Sequence, residues 1–357
     1  MDIEGQVLKN KEESASLRYK YRSSRRKVKT KRYSRALSWM LSISFDRFLL
    51  FLLFGLSLTC LVFLINQDIC WTYKDEMNLF TSIYRERSVD NAIPLEKAHS
   101  HNDYEHENPL FLALSSGFCS VEADVHADSH GRLHLGHFVP TQSTLTDTYL
   151  EPLKDLALKR EGRPLYRLAS TLGVCEQVTL LIDMKTDPIE TWEVLSNEIA
   201  RVNADAGYRI FECYEGNANK PQASGFTFRG YSKSPVRVVV SGVEKDQLGS
   251  FAAHVLRSNH GSFCTTLDGR FDPDTLDLTW NGDIAKITSW ISGPWTQHVA
   301  SGMHRLVTKI HEKGLKLRFW DVPDDIQIWN EILDFGVDII STDHIVTLAS
   351  FLSFSVN

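Results

Sequence analysis

The spacing of apolar and polar positions divides the chain into three stretches. Residues 1–47 keep no sustained period and read as a polar, disordered tail. Phe48–Ile65, FLLFLLFGLSLTCLVFLI, contains no charge and lacks the polar stripe that a buried core helix shows. Farther along, short β-rich runs alternate with helix-like stretches. Strands are expected near Lys97–His101, Ser120–His126, Val178–Lys185, Val236–Gly242, Ser262–Thr266, Ala285–Ile291, Leu315–Trp320 and Val337–Thr342. Helices are expected over Asp187–Asn203 and Pro294–Lys313, the second stopped by Gly314. Eight runs in this alternation predict an α/β fold, a (β/α)₈ barrel over 97–352. The alternative is an open doubly wound sheet, but no GxGxxG turn or P-loop supports one. A hairpin-like insertion, RIFECYEG to GFTFRG, lies between the third and fourth strands.

Charge sharpens the division. Residues 1–47 carry a balance of +8 and the remainder −14, within a net −6 for the 357 residues. An acidic body argues against nucleic-acid binding, which needs a basic footprint. At ~1.5 Å per residue the apolar run nearly crosses a ~30 Å hydrocarbon core, so a single transmembrane helix is expected at 48–67. Trp39 on one side, and Trp71 and Tyr73 on the other, suit the interfaces. The basic side then stays cytoplasmic, residues 68–96 form a stalk and lead-in, and the barrel is luminal or extracellular. Mitochondrial targeting is the alternative, weakened by acidic Asp2, Glu4, Glu12 and Glu13. The chain holds no Asn-x-Ser/Thr sequon. Cys70, Cys119, Cys175, Cys213 and Cys264 follow the apolar run, an odd number whose spacing shows no zinc pattern and assigns no disulfide. Nothing in the sequence sets the oligomeric state.

Candidate chemistry gathers between His99 and His137, which holds seven of the 13 histidines. Glu122 and Asp124 stand two apart on an expected strand and therefore share a face. Reactive groups of such barrels sit at the carboxyl ends of strands, which adds His101, Asp183, Lys185 and His137. Ser241, Asp268, Trp320 and Asp343 are further lining candidates by the same rule, with Trp320 taken as substrate-binding. Three carboxylates supply hard oxygen donors, so Glu122, Asp124 and Asp183 are expected to hold Mg²⁺ or Ca²⁺. His101 and His137 would work as base and acid on opposite sides of a phosphorus centre, and Lys185 would bind the phosphate. His99 reads as a core or supporting hydrogen-bonding residue; His106, His126, His130 and His134 read as surface or supporting groups. No Gly-x-Ser-x-Gly elbow points to serine hydrolase chemistry.

The ordered set HSHNDYEHENPL, GFCSVEADV, LHLGH, LLIDMKT and VDIISTDH resembles the phosphatidylinositol-specific phospholipase C-like phosphodiesterase superfamily over roughly residues 95–350. That superfamily includes glycerophosphodiester phosphodiesterases and sphingomyelinase D. The resemblance implies a TIM barrel that hydrolyses a lipid-type or glycerol-type phosphodiester. It places His101, Glu122, Asp124, His137, Asp183 and Lys185 on the motif positions in order. Asn102 stands where glycerophosphodiesterases carry Arg, and Phe138 where Asp is common. Those departures leave a non-catalytic metal- or phosphate-binding barrel with a scaffolding role as the alternative.

Overall fold

Each run expected as a strand falls on or beside one in the computed structural model of the chain, which describes residues 89–166, 175–215, 234–258, 262–280 and 282–354. The strands are β1 Leu95–Ser100, β2 Phe118–Ala127, β3 Leu133–Leu135, β4 Val178–Met184, β5 Tyr214–Glu215 and β6 Val236–Ser241. After them come β7 Ser262–Phe263, β8 Thr266–Arg270, β9 Thr288–Pro294, β10 Lys316–Trp320 and β11 Ile339–Thr342. Eight of them pair in parallel in the order β1–β2–β4–β6–β8–β9–β10–β11, and β11 returns to β1 to close the barrel. β3 adds antiparallel to the end of β2, and β5 pairs with β7 in a separate two-stranded sheet.

Helices follow the strands: α1 Phe111–Ser115, α2 Glu151–Lys159, α3 Pro188–Ala206, α4 Leu248–Arg257, α5 Ile284–Ile287, α6 Gln297–His311, α7 Ile326–Asp334 and α8 Ile345–Phe354. In α3 the Asp187 carboxylate caps the backbone N–H groups of Ile189 and Glu190, Pro188 starts the first turn, and Gly207 stops the helix at φ 73°. Trp192, Leu195, Ile199 and Val202 then fall on one face and are buried, while Glu190, Glu193, Asn197 and Arg201 face solvent. Each aliphatic side chain so buried contributes about 1.5–3 kcal/mol.

Most expected strand boundaries lie within two residues of those observed, and two strands moved farther. Thr266–Arg270, not Ser262–Thr266, enters the barrel, and Ser262–Phe263 pairs with β5 instead. The sixth strand begins at Thr288 because Ile284 and Ile287, three apart, form the buried face of a helical turn. Cys213 and Cys264 form a disulfide across the β5–β7 pair, and Cys119 and Cys175 are free and buried. The tail at 1–47, the apolar run at 48–67 and most of the insertion lie outside the described residues. No helix among the described residues is long and apolar enough to cross a membrane. That corrects the expected single-pass placement with a luminal or extracellular barrel: α3, the longest helix introduced above, carries a charged face, and apolar α8 has only 10 residues.

The barrel interior is layered. At one level Leu181, Val239, Trp290 and Ile339 form a small apolar cluster separate from the main core between strands and helices. Alongside these positions the lining turns polar: Glu122 is the register partner of Leu181, Asp268 of Trp290 and Arg318 of Ile339, and all three are buried, as are His99 and Ser292. This polar layer is the floor of the site.

Candidate active site

Parallel register builds the site. Asp124 on β2 is the register partner of Asp183 on β4, and Asp183 of Ser241 on β6. Carboxylates in LLIDMKT and VEADV thus meet side by side although 59 residues separate them. Glu122, Asp124 and Asp183 bring one oxygen each to within 4.8 Å of one another. His101, His137, Lys185 and Trp320 line the same cavity as Glu122 and Asp183, a space of about 620 Å³ at the carboxyl ends of the strands. All seven residues expected at the site are therefore brought together.

Asp124 is the junction. Its Oδ2 accepts from His137 Nδ1 at 2.5 Å, Lys185 Nζ at 3.0 Å and the Tyr104 hydroxyl at 3.2 Å. Its Oδ1 is buried and has no hydrogen-bond partner among the described residues. A buried carboxylate oxygen without a donor costs free energy unless a cation meets it. Lys185 also bonds Asp183 Oδ2 at 2.5 Å, so one ammonium holds the outer oxygens of both aspartates. Burial, then the charges of Glu122 and Asp183, push the Asp124 carboxyl above its ordinary value. The residues present thus fit a hard divalent cation: three oxygen donors, mutual repulsion and one orphaned oxygen.

Glu122 is held differently. Burial alone would raise its carboxyl, but the Arg318 guanidinium and the His99 hydrogen bond outweigh that and keep it well below the usual carboxylate range. Arg318 Nη1 lies 2.7 Å from Glu122 Oε2, and its Nε donates to Ser292 Oγ at 3.2 Å. Burial and the nearby Arg318 lower His99 to about 4, which leaves it neutral at pH 7. A neutral ring has one N–H. His99 Nε2 lies 2.8 Å from Glu122 Oε2 and 2.9 Å from Arg318 Nη1, and Nδ1 lies 2.6 Å from Ser120 Oγ. His99 supports Glu122 from below and is not among the residues that line the cavity.

The two histidines of the cavity are each tied at Nδ1. His137 gives that N–H to Asp124, and His101 gives its own to Asp343 Oδ1 at 2.8 Å. Neither Nε2 has a hydrogen-bond partner among the described residues. Burial, the largest influence, would lower His101, but the Asp343 hydrogen bond together with the charges of Glu122 and Asp343 outweighs it and the ring ends above its ordinary value. β1 and β11 are neighbours, so the residues after them, His101 and Asp343, meet at one corner. Asn102 takes the left-handed conformation, φ 46°, and turns the chain there. Buried Asp103 pins that turn by accepting from Ser100 Oγ, Leu110 N and Tyr149 OH. His126 Nε2 donates to the His137 carbonyl at 3.2 Å and fixes the other loop. At Gly242, φ 79°, a Cβ would collide with the Met184 backbone and stand 2.9 Å from Asp183 Oδ1, so the close approach beside Asp183 needs glycine.

Three site groups escaped the sequence reading. Arg318 and Arg270 line the cavity, and Tyr104 reaches Asp124. Arg318 stands two residues before Trp320, and Arg270 two after Asp268, so period-two spacing already pointed to both.

Residues 87–241 match the AIM6-like phosphodiesterase domain. The chain is 24% identical over 284 residues to the altered inheritance of mitochondria protein 6 homolog of Arthroderma benhamiae, covering 74% of this chain and 86% of that protein. It is 25% identical over 295 residues to altered inheritance of mitochondria protein 6 of Eremothecium gossypii, with 72% and 69% covered. Among solved structures it is similar to a glycerophosphodiester phosphodiesterase from Parabacteroides distasonis, at 16% identity and a TM-score of 0.41, covering 75% of this chain and 99% of that one.

Proposed function

From a chain that carries a match to the AIM6-like phosphodiesterase domain and is similar to altered inheritance of mitochondria protein 6, we propose a metal-dependent phosphoric diester hydrolase acting on a glycerol-type or lipid-type phosphodiester. The observation that carries this reading is the orphaned Asp124 Oδ1 inside a triad of carboxylates, with a carboxylate-held imidazole on either side. Glu122, Asp124 and Asp183 would hold Mg²⁺ or Ca²⁺. The ion, when bound, supplies Lewis acidity toward a phosphoryl oxygen. His101 Nε2 takes a proton from the attacking water as its oxygen bonds to phosphorus, and Asp343 stabilises the imidazolium that forms. His137 Nε2 gives a proton to the leaving oxygen, and Asp124 holds that ring in position. Lys185 adds positive charge beside the phosphoryl group, and Trp320 walls the cavity against water. Hydrolysis of bis(p-nitrophenyl) phosphate with Mg²⁺ or Ca²⁺ tests the proposal. Turnover that disappears in excess chelator and returns with added ion supports it; full turnover in chelator overturns it.

Asp343 then acts through His101 as a positioning residue. Asp343→Asn is expected to lower kcat by roughly tenfold to a hundredfold with little change in KM, as loss of an orienting acid–base partner does. The sign of its pH effect follows from the raised His101. A base works unprotonated, so the acidic limb of the wild-type profile lies above the position an unassisted ring would give. Losing the Asp343 carboxylate moves that limb to lower pH, read from kcat profiles of both proteins at equal metal concentration. A limb that stays put, or moves up, contradicts the pairing.

A further inference from the structure

Among the described residues, three side chains of permanent positive charge line the cavity: Lys185, Arg270 and Arg318. Two are committed. Lys185 bridges Asp124 and Asp183, and the Arg318 side chain is 3% exposed with its donors on Glu122 and Ser292. The turn after β1 contributes His101, Asn102 and Glu105 to the lining, and no lysine or arginine.

Arg270 is built otherwise. It ends β8, two residues beyond buried Asp268, and its side chain is 21% exposed. Nη1 donates to Asp268 Oδ2 at 3.0 Å, and Nη2 donates to Ser241 Oγ at 2.9 Å. Asp268 is itself fixed by Ser292 Oγ at 2.7 Å. These bonds clamp one side of the guanidinium. Nε has no partner among the described residues, and Nη2 keeps a second hydrogen. The Nε–Nη2 edge is therefore oriented and open, the arrangement in which arginine takes two oxygens of one anion. Because Ser241 is the register partner of Asp183, this edge stands one strand from the carboxylate triad.

We infer that Arg270 is the anion anchor of the cavity, its Nε–Nη2 edge gripping the two non-bridging oxygens of the phosphoryl group. This deepens the hydrolase reading and rests on it for the identity of the ligand. The test is binding rather than turnover: dimethyl phosphate is titrated into the Mg²⁺-loaded full chain and followed by phosphorus NMR. Wild type binds it, and Arg270→Gln raises Kd by roughly tenfold or more, the scale of losing a charge-assisted bidentate contact. Arg270→Lys, which keeps the charge without the fork, falls between them. Mg²⁺ affinity by calorimetry stays at the wild-type value, and titration well below the unfolding transition of each protein separates anchoring from misfolding. Equal affinity in wild type and Arg270→Gln overturns the inference, and so does a wild type that does not bind dimethyl phosphate. Arg270-dependent binding without diester turnover removes the hydrolase reading and leaves the anchor standing. Turnover whose KM ignores Arg270→Gln does the reverse.

Discussion

Asp124→Asn is expected to abolish divalent-ion binding and to lower phosphodiester turnover by roughly a thousandfold or more, because it removes a metal ligand and an acid–base partner together. The substitution is nearly isosteric, so its effect comes from chemistry alone. The native carboxylate works on two sides at once: Oδ2 accepts from His137, Lys185 and Tyr104, and Oδ1 is the buried oxygen without a donor. An amide cannot serve both. With its NH₂ toward the metal side it presents a donor where a ligand is needed. With NH₂ toward His137 and Lys185 it sets donor against donor. Either way the His137 ring loses the carboxylate that fixes it. The loss is not one of folding. Burial and the charges of Glu122 and Asp183 disfavour ionised Asp124 in the metal-free protein, so neutralising it relieves repulsion and the unfolding temperature in chelator should hold or rise. Calorimetric Mg²⁺ titration, kcat/KM and a thermal melt check the three statements. A variant that keeps more than about a tenth of wild-type turnover contradicts the central place given to this residue.

Much of this site was legible because it obeys a local rule. Glu122 and Asp124, and Asp183 and Lys185, stand two apart at the carboxyl ends of apolar runs, and a strand must send such pairs to one side. Which side is not a local property. In KLRFW and TLDGR the alternation is equally plain, but interior and solvent-facing polar positions look alike in sequence. Arg318 is understood only once Glu122, 196 residues away, is seen 2.7 Å from it. The same holds for His101 and Asp343, joined because the last strand closes on the first. The shifted fifth and sixth strands have another cause: short apolar windows such as SFCTTL and IAKITSWI allow more than one register, and the choice fell to partners outside the window. HSHNDYEHENPL drew attention for its histidines, yet half of its work is scaffolding, with Asp103 buried and bonded three ways to pin the turn beside His101.

Arg318→Met should destabilise the fold by about 3–5 kcal/mol, the scale of leaving buried charge without its partner. The guanidinium is shared between Glu122 Oε2 at 2.7 Å and Asp268 Oδ2 at 3.8 Å, both carboxylates buried, with Ser292 Oγ at 3.2 Å and His99 Nε2 at 2.9 Å beside it. Methionine fills comparable volume and supplies no donor, so Glu122 keeps its desolvation cost and loses its cation, while Asp268 retains Arg270 at 3.0 Å. The pH dependence identifies the cause. In wild type the folded state holds Glu122 well below its ordinary value, so the protein gains stability above the unfolded carboxylate pKa and loses it as pH falls through the folded one. Without Arg318, burial dominates and Glu122 moves upward, so the variant recovers by taking up a proton. Its deficit should therefore be largest at neutral pH and shrink toward pH ~4.5, near the unfolded carboxylate range. Urea unfolding in chelator at both pH values measures this. Glu122→Gln introduced into Arg318→Met removes the unpaired charge and should restore part of the loss at pH 7, although Glu122→Gln alone destabilises. A deficit below about 1 kcal/mol, or one that is flat in pH, would mean that the floor of the barrel is held by packing and not by this ion pair.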